Sequence, residues 1–149
     1  EEMPDVILER VRDLVGARRL AGRTALVLLG HGTDLNRNSA GVIYLNARRL
    51  RERGVFDAVE VGFLDQEPEI GRVVEEAEAE NVVVIPLFIA EGWHTRETIP
   101  EDLGLEGEVT AREGKTIFYG APVGTHPSMA RLIADRAREA GEREAPLAR

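Results

Sequence analysis

The 149-residue chain contains no cysteine, which excludes disulfides, thiolate metal sites and iron–sulfur clusters built from its own residues. Any metal ion must be held by histidine, carboxylate or water. Lysine is almost absent too: Lys115 stands alone against eighteen arginines, and the formal net charge is −8. There is no basic stripe to neutralise a phosphate backbone, so general nucleic-acid binding is not expected, and an anionic small ligand would need arginines placed locally. No apolar run approaches the roughly 18 residues of a membrane span, and no signal peptide is visible, so a cytoplasmic location is expected. The chain begins at Glu1 rather than Met, and an upstream segment is expected.

What is present is enough for one packed domain, with 43% hydrophobic residues and a length that needs no staples. The chain is organised around residues 81–100, NVVVIPLFIAEGWHTRETIP. The unbroken apolar run 82–89 has no polar face to give to water, which fits a central strand covered on both sides. Pro86 cannot donate to a ladder, so pairing should weaken or end near it, with residues 88–94 leaving as a loop at the strand's carboxyl end.

The rest falls into place around that strand. Residues 5–19 form an amphipathic lead-in helix, with Ile7, Val11, Leu14 and Val15 at helical spacing and Gly22 as its stop. Residues 24–29 are a second continuous strand, ending in Gly30-His31-Gly32-Thr33. A helix over 38–53 buries Ile43, Ala47 and Leu50 and stops at Gly54, and the alternating segment 56–63 reads as an edge strand. Pro68 is expected as a first-turn proline of the next helix, with Ile70, Val73, Val74 and Ala77 as its stripe. Thr98 to Glu101 has capping-box spacing for a short turn ended by Gly104. Two strand-like pieces flank Arg112-Glu113-Gly114, the second over 116–119. Pro127 starts the last helix, with Met129, Leu132, Ile133 and Arg136 at helical intervals. Alternating strands and helices imply a doubly wound α/β domain, a parallel sheet of about four strands in the order 2-1-3-4 with helices on both faces. The expected division is a lead-in helix over 1–22, the α/β domain over 23–141 and a frayed tail over 142–149.

His31, His94 and His126 all follow strands at the same end of this sheet, where ligands bind in doubly wound folds. Each has a plainer reading: His31 as a turn residue, His94 as the polar tip of a loop anchored by Trp93, and His126 as a helix-start residue. The glycines flanking His31 would permit close ligand approach. Trp93 is a packing anchor or a stacking ring. Glu91 and Glu97 bracket His94, where a carboxylate could orient an imidazole or relay a proton, unless they are solvated loop charges. Arg37 and Arg96 are candidates for gripping substrate carboxylates.

Taken together, LVLLGHGTDLNRNS (26–39), VEVGFLDQEPEI (59–70), VVVIPLFIAEGWHTRETIP (82–100) and GAPVGTHPSMARLI (120–133) resemble the small sirohydrochlorin cobaltochelatase family over residues 24–138. The resemblance implies an ATP-independent chelatase that inserts Co2+, or in relatives Fe2+ or Ni2+, into a tetrapyrrole, the ion being substrate rather than resident cofactor. It implies that His31 and His94 handle the metal, with Arg37, Arg96, Trp93 and His126 facing the tetrapyrrole and Glu91 and Glu97 available as a proton relay. Where the family commonly has Asp two residues before the proline of the third segment, Thr98 stands here, leaving Glu97 as the nearest acid. The lead-in helix precedes the family's usual start. One lobe of this size offers one wall to a large flat ring, so a homodimer or a second lobe of a longer chain is expected.

Two other readings stay open. A histidine phosphatase is disfavoured because Gly30 occupies the position of the arginine its nucleophile loop requires. A non-enzymatic module that binds metal or tetrapyrrole would use the same histidines without turnover.

Overall fold

A computed structural model describes residues 2–32, 37–88 and 97–144, without the side chains of residues 37–40 and 143–144. Among them lie β1 (Thr24–Gly30), β2 (Ala58–Phe63), β3 (Asn81–Pro86), β4 (Val109–Arg112) and β5 (Lys115–Tyr119). The helices are α1 (Met3–Val15), α2 (Arg37–Arg53), α3 (Ile70–Glu76), α4 (Ile99–Leu103) and α5 (Pro127–Glu144), with a 3-10 turn at Val123–Thr125. The strands form one sheet in the order β2-β1-β3-β5-β4. Its first four members are parallel, and β4 is an antiparallel edge. The expected order therefore holds, with β4 as a fifth strand. β4 joins β5 through Glu113-Gly114, both at positive φ (50° and 79°), the backbone pattern of a tight two-residue hairpin turn.

β1 and β3 read as continuous apolar runs because both of their faces are covered. Leu26, Leu28, Val83 and Ile85 pack with α1, α2 and α5 on one side. Val27, Leu29, Val82 and Val84 pack with α3 and α4 on the other. α1 is part of that first layer: Val6, Ile7, Leu8, Val11 and Leu14 are all buried. Exposing five such side chains would cost on the order of 10 kcal/mol, comparable with the net stability of an ordinary domain.

Several local expectations are corrected. α1 ends at Gly16 (φ 65°), not Gly22. Pro68 lies before α3 rather than in its first turn, because the Glu69 carboxylate takes the N-cap, accepting the N–H groups of Gly71 and Arg72. Thr98 makes no side-chain cap and has helical backbone angles, so the capping box does not form. Ile133 is 60% exposed and Arg136 is also exposed, so only Met129 and Leu132 of the expected α5 stripe are buried. α5 continues through Gly141 to Glu144, and residues 145–149 lie outside the described residues.

Two carboxylates tie segments together and set an acid limit. Asp5 pairs with Arg53 of α2 at 2.7 Å, and this bond with the Glu2 N–H holds its pKa below the ordinary 3.8. Glu80 accepts the Arg23 N–H at 2.5 Å, which lowers its pKa below 4.5. As pH falls the unfolded chain takes up these protons first, so the contribution is full above the unfolded values and lost as pH drops through the folded ones. We expect the thermal midpoint to fall below about pH 4, and the fall to be shallower in Asp5→Asn and Glu80→Gln, as read by circular dichroism melts across the acid range.

Candidate functional site

The site is set by where the parallel strands stop. Leu29 of β1 is in register with Pro86 of β3, and the Leu87 N–H donates to the Leu29 carbonyl at 2.8 Å. Backbone groups alternate sides along a strand, so the missing N–H of Pro86 falls on the β5 side. There the Gly120 N–H still reaches the Val84 carbonyl at 3.0 Å, and the next bond of that ladder would need the donor Pro86 lacks. Pairing thus ends at Pro86 as expected, and the chain leaves the sheet there.

His31 is the first residue beyond β1, and its side chain is 49% exposed. Its Nδ1 lies 3.3 Å from Oδ2 of Asp65, in the loop after β2, and the Asp65 N–H donates to the His31 carbonyl at 3.1 Å. The ring also meets Phe88, just beyond β3, with centroids 6.0 Å apart. Imidazole, carboxylate and the exit of β3 are therefore neighbours. The sequence reading did not nominate Asp65. Its signal was weak but present: an acid two residues past an edge strand adjacent to β1, at the level where His31 emerges.

The two glycines flanking His31 each have a packing reason to lack a side chain. A Cβ on Gly30 would come within 2.9 Å of Phe63 and 3.1 Å of Ile43. Gly32 has φ +88°, and a Cβ there would approach the Gln66 and Asp65 backbone nitrogens to 3.2 and 3.3 Å. Gly30 makes room for Phe63 of β2 and Ile43 of α2, and Gly32 for the β2 loop carrying Asp65.

His126 has a different setting. It is 9% exposed and caps α5: Nδ1 accepts the Ser128 N–H at 3.1 Å, while Nε2 lies 2.8 Å from Oδ2 of Asp13 in α1. Glu9 sits 3.8 Å from Nδ1 and also contacts Ser128 and Arg131. Nδ1 thus caps α5, the helix-start role, and Nε2 docks α1 onto it; this geometry gives no support to contact with substrate.

Of the other expected site residues, Glu97 is exposed just ahead of α4, and Arg37 opens α2. Glu91, Trp93, His94 and Arg96, with the side chain of Arg37, lie outside the described residues. Among the described residues no group of three or more histidine and acidic side chains could hold a metal ion; the described part of the site is the His31–Asp65 pair.

The sequence model of the CbiX family matches residues 25–140. The chain belongs to the CbiX family. A relative in Halobacterium salinarum named "Probable sirohydrochlorin cobaltochelatase" is 38% identical over 95% of this chain and 51% of its own length; this chain spans about half of that protein. A "Sirohydrochlorin cobaltochelatase" of Methanopyrus kandleri is 35% identical over 78% of this chain and 96% of its own. Among solved structures, a multi-domain protein of Deinococcus radiodurans with structural similarity to chelatases superposes with a TM-score of 0.73 at 35% identity, over 78% of this chain and 28% of that one. The sirohydrochlorin chelatase SirB of Bacillus subtilis, in complex with cobalt, has the same fold at a TM-score of 0.58 and 20% identity, over 78% of this chain and 50% of its own. The CbiX match begins after α1.

If His126 is a cap, its loss should be read in stability. His126→Ala should destabilise the protein by about 1–2 kcal/mol, the range of a lost N-cap, while His126→Asn, which can still cap, recovers part of it. Thermal melts of the two variants check this; an unchanged midpoint in His126→Ala would contradict the docking role.

Proposed function

We propose that this chain inserts a divalent ion, Co2+ foremost and Fe2+ or Ni2+ as alternatives, into sirohydrochlorin or a related tetrapyrrole, without ATP. The observation that carries this reading is the His31–Asp65 pair at the carboxyl ends of adjacent parallel strands, against Phe88 of the segment that continues to His94. Membership of the CbiX family and the names of its relatives support the same reading.

The chemistry suits the pair. In this proposal Nε2 of His31 takes the ion while Nδ1 faces Asp65 at 3.3 Å, and a carboxylate on the other nitrogen raises the basicity of an imidazole ligand. His94 is the second donor in this proposal. Imidazole and carboxylate hold borderline divalent ions reversibly, whereas thiolates would trap them; reversible holding is required, because the ion must pass to four ring nitrogens. Insertion exchanges one divalent ion for two pyrrole N–H protons, so charge balances. Asp65 beside His31, and Glu91 and Glu97, which bracket His94 in sequence, are the carboxylates this proposal assigns to accept those protons. Arg37, Arg96 and Trp93 would face the ring and its acids. A large flat ring needs a second wall, which a second copy of this chain or a further lobe would supply.

His31→Ala and His94→Ala should each abolish calorimetrically detected Co2+ binding with the circular dichroism spectrum unchanged. Asp65→Ala should weaken it by about 10–100-fold, the usual cost of losing a partner of a ligating histidine. Full-affinity Co2+ binding by either histidine variant would contradict the site.

A further inference from the structure

We propose that Phe88 is a positioning residue for the metal site: its ring sets the plane of the His31 imidazole, and with it the direction from which His31 meets an ion. The inference rests on the chelatase reading above and names a residue that acts on the ion through His31 rather than by touching it.

A histidine nitrogen binds a metal along a direction lying in the plane of its ring, so whatever fixes that plane aims the donor. The torsion that turns the ring is broad and does not fix the plane by itself. The Asp65 contact to Nδ1, at 3.3 Å between side chains that are 49% and 54% exposed, fixes an axis through the imidazole but not its plane. Phe88 adds a contact on the ring itself. The two ring centroids lie 6.0 Å apart with their planes tilted by 50°, within the range over which tilted aromatic pairs attract. A contact at Nδ1 and a contact on the ring together define what the first alone leaves open.

Phe88 suits this role because it is firmly held. Its side chain is half-buried and packs against the layer of Val27 and Leu29 on the α3 and α4 side of the sheet. Its backbone is tied on both sides: the Leu87 N–H donates to the Leu29 carbonyl at 2.8 Å, and the Phe88 carbonyl accepts the Gly124 N–H at 3.0 Å. The turn carrying Gly124 is in turn gripped by α1, since Arg10 Nη2 donates to the Pro122 carbonyl at 3.1 Å and to Thr125 Oγ1 at 2.8 Å. Phe88 therefore belongs to the packed sheet, and a neighbour locked by packing is what keeps a ligand at the geometry its ion needs. It also begins the segment that leads to His94, so one residue stands between the two histidines assigned to the ion.

The test is Co2+ binding to the whole chain, read by calorimetry and by the visible absorption of bound Co2+, which reports its ligand geometry. Phe88→Leu keeps an apolar side chain and removes the ring. It should weaken Co2+ binding about three- to tenfold, the scale of one aromatic contact and one ordered side chain, and shift the Co2+ bands. Phe88→Tyr, which keeps the ring, should restore both. A residue that only fills space would lower the thermal midpoint when replaced and leave the spectrum of bound Co2+ unchanged. Phe88→Met, flexible and able to fill an irregular gap, removes the ring by a second route, with circular dichroism as the folding control. Wild-type affinity and bands in a folded Phe88→Leu or Phe88→Met, or losses in Phe88→Tyr equal to those in Phe88→Leu, overturn the proposal while leaving the chelatase reading standing. A folded wild-type chain that binds no Co2+ overturns both.

Discussion

The structure depends on the shared end-point of β1 and β3. Both strands are buried on both faces, so neither can slide in register without moving apolar side chains out of one layer and into another. Leu29 opposite Pro86 and the Leu87–Leu29 hydrogen bond fix that end-point. Pro86 removes the donor that would extend pairing to β5, and the chain is released on that side. His31, Phe88 and residues 120–122 emerge at one edge as a result, the first beside a carboxylate from the β2 loop. Chemistry is placed at this edge by where hydrogen bonding stops.

Much of this was legible in the sequence because burial writes itself as pattern. Residues 82–85 and 25–29 are apolar without interruption since helices cover both faces, and Val59, Val61 and Phe63 alternate with Glu60 because an edge strand meets solvent on one side. The order β2-β1-β3-β5 follows from that contrast. Helix ends were less legible. Gly16 and Gly22 are both glycines at positive φ, and only packing decides which one stops α1. Pro68 and Glu69 are adjacent, and the carboxylate won the N-cap by bonding two backbone donors. Ile133 sits at a plausible helical interval yet faces out, because spacing alone does not say how far round the helix the core extends.

The site shows the same division. His31 was recognisable from its place after β1, but its partner Asp65 was not, since the pairing depends on Gly32 at φ +88° bringing the β2 loop against the turn. The glycines make room for Phe63 and Ile43 at Gly30 and for the β2 loop at Gly32, contacts that sequence spacing does not show. His126 shared its end of the sheet with the other histidines, yet its ring turns to Asp13 of α1. That contact joins the first helix to the loop that starts the last. Arg10 drew no notice in sequence for the same reason: it is separated by more than a hundred residues from the loop it grips.

The central claim is that this edge of the sheet transfers an ion to a tetrapyrrole. The most direct measurement is the absorbance change of metal-free sirohydrochlorin on anaerobic addition of Co2+ with the purified chain and no nucleotide. The account predicts conversion to the cobalt complex at a rate proportional to protein and above the uncatalysed background. A rate equal to that background, with a folded protein, would contradict it.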